Sequence, residues 1–167
     1  APVLERVDHV AVTAVGDEEK PRRGFGDGKQ AAELAVYGIV GHAAIVSSSN
    51  VTTIESYEKI FSPTKIGGFK DIINDWGYKR GAFLVRPYGA SSIQFSNAAA
   101  YAARQVGKPY SWDFFNKYRT DQFYCSQLVW RAWLSVGIDT ETGSIPNGVV
   151  APADLVNSSN TYVVKRV

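Results

Sequence analysis

The sequence predicts an α+β fold, on the order of its elements and on two local patterns. Strand-like segments come first, two helices follow, and a last strand closes the chain, an order that disfavours an alternating parallel sheet. Within it, Tyr37–Val46 and Val51–Tyr57 flank the turn cluster Ser47-Ser48-Ser49-Asn50 and read as a hairpin. Ser91–Val106 is a helix: Ser91 and Gln94 have capping-box spacing, the interior is Ala-rich, and Gly107 and Pro109 supply the stop.

The remaining elements follow in chain order. Val7–Thr13 is rich in β-branched residues and reads as a short strand. Gly16–Lys29 is charged and Gly-rich, an exposed loop; Arg23 and Gln30 stand where a Walker loop needs Gly and Ser or Thr. Gln30–Ala35 suits a helical turn. Residues 58 to 81 are irregular, with a short helix expected around Phe69–Asp75, and Ala82–Arg86 is a strand stopped by Pro87. A second helix runs from Cys125 to Val136 and ends at Gly137, with Leu128, Val129, Ala132, Trp133 and Val136 on one stripe. Pro146-Asn147-Gly148 is a turn and Thr161–Val167 a final strand.

The 167 residues fit one domain, and 45% hydrophobic residues with 13% aromatic ones are enough for a packed core. A net charge of +2 argues against a dedicated nucleic-acid binder, which needs concentrated positive charge. One Cys can form no internal disulfide, and with two His it makes no Cys/His zinc site, so neither metal nor cofactor is expected. No apolar run reaches the ~18–20 residues of a membrane span. Methionine is absent even at position 1, which suggests a processed or trimmed chain: a mature secreted protein, or a sequence given without its leader.

Chemistry centres on Cys125, at the start of the second helix. Free backbone N–H groups and the positive end of the helix dipole favour thiolate there. The competing reading is a small buried hydrophobe, because Cys125 also lies on the apolar stripe. His42 separates the two. It stands in a small, apolar strand, and a hairpin bend between Ser48 and Ser49 pairs residues whose numbers sum to 97, setting His42 opposite Glu55. A carboxylate there can hold one ring nitrogen and leave the other for a thiol. A one-residue slip would move Glu55 to the other face.

Cys, His and carboxylate in this relation form a nucleophile, a base and an orienting group, which suits acyl transfer through a thioester. The Cys125 backbone N–H is the nearest oxyanion donor. Tyr110 and Tyr124 compete as substrate-binding or oxyanion residues, or as plain packing. His9 is assigned a surface or packing role.

Gly-His-Ala-Ala-Ile-Val at 41–46, Thr-Ile-Glu at 53–55, Gly-Lys-Pro-Tyr at 107–110, Tyr-Cys-Ser-Gln-Leu-Val-Trp at 124–130 and Val-Ala-Pro-Ala-Asp-Leu at 150–155, followed by Ser158, resemble the YiiX/YycO-type proteins. These belong to the circularly permuted branch of the NlpC/P60 (papain-like) superfamily. The resemblance spans residues 37–167 and leaves out the first 36, where Gly26-Asp27 is followed by a polar stretch rather than a hydrophobic residue. It implies a small antiparallel sheet or partial barrel packed on the Cys-bearing helix, in a single domain over 1–167. It further implies Cys125 as nucleophile, His42 as base, Glu55 as its orienting group and Tyr110 as a residue lining the site. The activity implied is a peptidase or amidase on cell-wall-type peptides at an exported, extracellular or cell-surface location, with lipid amide or ester hydrolysis or acyl transfer as the alternative. A non-catalytic papain-like binding module is the alternative of another class. Neither substrate identity nor oligomeric state follows from the sequence.

Overall fold

The computed structural model describes residues 11–14, 42–47, 52–56, 66–71, 82–141 and 148–166. The strands are β1 (Ala11–Ala14), β2 (His42–Val46), β3 (Thr52–Ser56), β4 (Ile66–Asp71), β5 (Ala82–Pro87) and β6 (Thr161–Arg166). The helices are α1 (Ser92–Gln105), α2 (Cys125–Leu134) and α3 (Pro152–Asn157). All six strands join one antiparallel sheet in the order β4-β3-β2-β1-β5-β6. The α+β expectation, with a small antiparallel sheet against helices, is met. Expected elements at 7–10, 16–41, 48–51, 57, 72–75 and 146–147 lie outside the described residues, as does His9.

Alternation along a strand explains how the sheet holds its helices. Ala43, Ile45 and Ile54 point to one face and join Phe95, Ala98 and Ala102 of α1 and Leu128, Val129, Ala132 and Trp133 of α2 in a single core. Ala44 and Val46 on the opposite face are buried as well, so β2 is covered on both sides. Small residues on β2 let α2 approach the strand closely, which brings the helix start to the strand start. The Phe95 and Trp133 rings meet edge to face at 5.0 Å, locking α1 against α2.

Both long helices begin and end as their sequences dictate. Ser91 Oγ accepts from the Gln94 N–H at 3.2 Å, and Gln94 Oε1 accepts in return from the Ser91 N–H at 3.0 Å. After α1, Gly107 takes a φ of +97°, a conformation costly for residues with a Cβ. Gly137 does the same after α2 at +85°, while the Gly137 and Ile138 amides return to Leu134 and Trp133. α2 thus stops at Leu134, two residues earlier than expected, because its last turn closes into this cap.

Two elements correct the sequence reading. The helix expected from Phe69 is strand through Asp71: β4 pairs along β3, with Glu55 opposite Gly67 and Ser56 opposite Ile66. Gly67-Gly68 disfavour a helix, and the non-local ladder to β3 outweighs local preference. The short helix α3 was not anticipated. Its signal is Ala-Pro-Ala-Asp, with Pro at the first turn and Asp154 Oδ2 accepting from the Ala151 N–H at 2.8 Å.

The core and the exposed cap differ in what they contribute. Trp133→Ala should cost about 3–5 kcal/mol of unfolding free energy, and Ser91→Ala about 1 kcal/mol. Urea denaturation of both variants checks this; equal losses would contradict a core centred on the α1–α2 contact.

Candidate active site

The site lies where β2 and β3 meet the start of α2. Cys125 is the first residue of α2, and Tyr124 before it has extended backbone, φ −91° and ψ 167°. The free N–H groups of the first turn therefore surround the cysteine. His42 is the first residue of β2 and Glu55 the penultimate residue of β3.

The hairpin register differs from the expected one. Ile45 pairs with Ile54 and Val46 with Thr53, so paired numbers sum to 99 rather than 97. Continued one step, this register sets Ala44, not His42, opposite Glu55, and His42 stands diagonal to the carboxylate. The four turn formers of 47–50 do not specify where the bend falls, and bend position fixes register. The shift is two residues, an even number, so His42 and Glu55 still share a face. Diagonal neighbours lie within reach of long side chains. His42 Nε2 is 2.8 Å from Glu55 Oε2.

Glu55 holds the ring at Nε2. The imidazole hydrogen-bonds the Cys125 side chain, while the Ala43 and Ser126 backbone N–H groups also donate to that sulfur. Glu55 is 2% exposed and His42 26%, so the carboxylate is sealed behind a ring that still reaches solvent. Burial pulls the His42 pKa down, but hydrogen bonds to Cys125 and Glu55 and their negative charges override it and raise it to about 9. Burial pushes the Cys125 thiol up, and the His42 hydrogen bond and charge with the two backbone donors bring it below its usual range. Both shifts favour thiolate beside imidazolium, and the titration belongs to the pair.

The signs set a pH window. A raised imidazole stabilises the fold fully below its ordinary pKa of ~6.5, and that contribution is lost as pH rises through about 9. A lowered thiol stabilises above its ordinary pKa, and that contribution is lost as pH falls through the lowered value. The ion pair is bounded by the lowered thiol below and the raised imidazole above.

The residues around Cys125 are held by buried polar bonds. Gln127 is fully buried; its Oε1 accepts from the Tyr124 N–H at 3.1 Å, and its Nε2 donates to the Lys117 and Arg119 carbonyls at 3.1 and 2.9 Å. Ser126 Oγ donates to the Val150 carbonyl at 2.6 Å, and the Val150 N–H donates to Tyr124 Oη at 3.0 Å. Residues on both sides of Cys125 thus grip one backbone unit ahead of α3. Ser56 Oγ donates to the Phe123 carbonyl at 2.6 Å, joining β3 to the same segment. The signal for Gln127 and Ser126 was two uncharged polar residues leading into the apolar run Leu128-Val129-Trp130, since buried polar groups are nearly always paired.

The two tyrosines take different places. Tyr124 is buried, its ring 5.4 Å from Phe114 and its oxygen on the Val150 amide; burial pushes its phenol well up. Tyr110 is half-buried and bridges Phe123, with the Ser111 N–H on the Phe123 carbonyl at 2.9 Å and the Phe123 N–H on the Pro109 carbonyl at 3.3 Å. Lys108 holds this segment through Gln105 Oε1 and the Thr120 carbonyl, both at 2.6 Å. The Gly-Lys-Pro-Tyr motif therefore lies alongside the approach to Cys125.

Comparison with known proteins bears on this arrangement. Residues 8–164 match the model of a family described as permuted papain-like amidase enzymes, YaeF/YiiX, C92 family. The chain is 28% identical over 137 residues to the uncharacterized protein YycO of Bacillus subtilis (strain 168), covering 79% of this chain and 55% of that one. It thus spans about half the length of the curated relative it matches. A crystal structure of the metalloprotein YiiX from Escherichia coli O157:H7 superposes with a TM-score of 0.63 at 18% identity, over 95% of this chain and 96% of that one. Among the described residues here, no group of three or more His, Cys, Asp or Glu is placed to hold a metal ion. With Nε2 on Glu55 and the sulfur on the ring, a metal on His42 would have to displace one of these partners. The family match reaches back beyond residue 37 to include β1, which lies between β2 and β5 in the sheet. With the sheet, the Cys-bearing helix and this match in agreement, the chain belongs to the permuted papain-like YaeF/YiiX family.

Proposed function

We propose that the protein is a cysteine amidase that works through a thioester at Cys125. The observation that carries this reading is the imidazole of His42 held between Glu55 and Cys125, with the thiol lowered and the imidazole raised. The family's description as amidase enzymes supports an amide as the bond cleaved. A cell-wall-type peptide, met outside the cell, is the substrate class, which rests on the likeness to NlpC/P60 members.

The chemistry follows from the three groups. The Cys125 thiolate adds to the amide carbonyl carbon, and its negative charge passes to the carbonyl oxygen, within reach of N–H groups at the start of α2. The C–N bond breaks as the His42 imidazolium gives its proton to the leaving nitrogen. Neutral imidazole next takes a proton from water, whose oxygen attacks the thioester. The C–S bond then breaks, releasing the acid and restoring the ion pair. Glu55 keeps the ring turned toward the sulfur and supports its positive form throughout.

Mass spectrometry of wild-type and Cys125→Ala protein incubated with muropeptides and with lipid amides tests the class. An acyl adduct on Cys125 from the muropeptides is expected; undiminished hydrolysis by Cys125→Ala would contradict the reading. The pH dependence separates the two partners. Alkylation of Cys125 needs only thiolate and should stay fast above pH 9, whereas hydrolysis also needs imidazolium and should fall there. His42→Ala should slow alkylation at pH 6 by about tenfold or more. Glu55→Gln should lower kcat by about a hundredfold with little change in KM; an unchanged kcat would remove Glu55 from the mechanism.

A further inference from the structure

We propose that Ser56 is a positioning residue that sets the contact between Cys125 and His42. The inference rests on the thiolate–imidazolium reading and concerns what holds the two partners in range.

The partners come from separate layers, His42 from the sheet and Cys125 from a helix, so something must register one layer against the other. Neighbouring residues of β3 point to opposite faces. Glu55 uses its side chain to hold the imidazole at 2.8 Å, and Ser56 uses its hydroxyl to hold the Phe123 carbonyl at 2.6 Å. Phe123 lies two residues before Cys125, in the extended stretch that leads into α2. One strand therefore holds both halves of the pair through consecutive residues. The hydroxyl is fully buried, so the bond is shielded from competing water.

The local bonding also separates this role from simple support. The Phe123 carbonyl accepts a second bond, from the Ser111 N–H at 2.9 Å. Deleting the hydroxyl leaves that oxygen with one donor rather than none, and a carbonyl with one partner is not orphaned in the core. Ser56→Ala should fold, with the start of α2 still held on the Ser111 side and released on the β3 side. A small drift of Cys125 from the ring weakens the bond that lowers the thiol.

The measurement is the pH profile of iodoacetamide alkylation at the single cysteine, on the whole protein, with melting followed in parallel. Ser56→Ala should raise the inflection by about one pH unit, which slows alkylation at pH 6 by about tenfold. Ser56→Thr keeps the hydroxyl and should retain the wild-type profile. Thr161→Val is the control. It removes another buried hydroxyl bond, to the Leu155 carbonyl at 2.8 Å, on β6 at the far side of the sheet. It should lower stability and leave the profile in place. A Ser56→Ala profile superimposed on a wild type with a low inflection overturns the role of Ser56 and spares the ion pair. So does an equal shift in Thr161→Val. A wild-type inflection at the ordinary ~8.5 overturns both readings together.

Discussion

The site depends on one imidazole with two partners, a carboxylate and a sulfur. His42 belongs to the sheet, takes its orientation from a buried carboxylate on the next strand, and meets the sulfur of a helix packed across the sheet end. Neither ionised partner is favoured alone: burial disfavours thiolate and imidazolium alike, and each becomes stable through the other. This coupling makes the geometry demanding. Weakening one contact raises the thiol, lowers the imidazole and returns both groups to their neutral forms.

The architecture meets that demand by placing rigid ends together. Element ends fray unless they are packed or capped, and here a strand start and a helix start converge and are held by burial and polar bonds. Ala43 on the core face of β2 admits α2 at short range, the α1–α2 ring contact stops the helix from sliding, and polar bonds fix the entry to α2. Those bonds come from several directions: Ser56 from β3, Gln127 from within the helix, and Val150 from the stretch before α3. Motif residues beside Cys125 thus hold in place the stretch that carries it.

Much of this was legible in the sequence, and the parts that were not share a cause. Capped and periodic elements such as α1 and α2 are specified by residues within them, so their starts and positive-φ glycine stops could be read directly. The pairing of His42 with Glu55 survived a wrong register because strand faces repeat every two residues, and the error was two. β4 escaped because what makes it a strand is the ladder to β3, a partner a local window does not contain. The roles of Ser56, Ser126 and Gln127 escaped for the same reason: each polar side chain is satisfied by a backbone group far along the chain or across a loop. What sequence displayed was only that such groups would need partners.

Nuclear magnetic resonance of the His42 ring, titrated in wild-type and Cys125→Ala protein, tests the central claim most directly. The account predicts that the wild-type ring stays protonated until about pH 9 and that removing the sulfur lowers that value toward the ordinary ~6.5. A wild-type ring that already titrates near ~6.5, unmoved by loss of the sulfur, would contradict it.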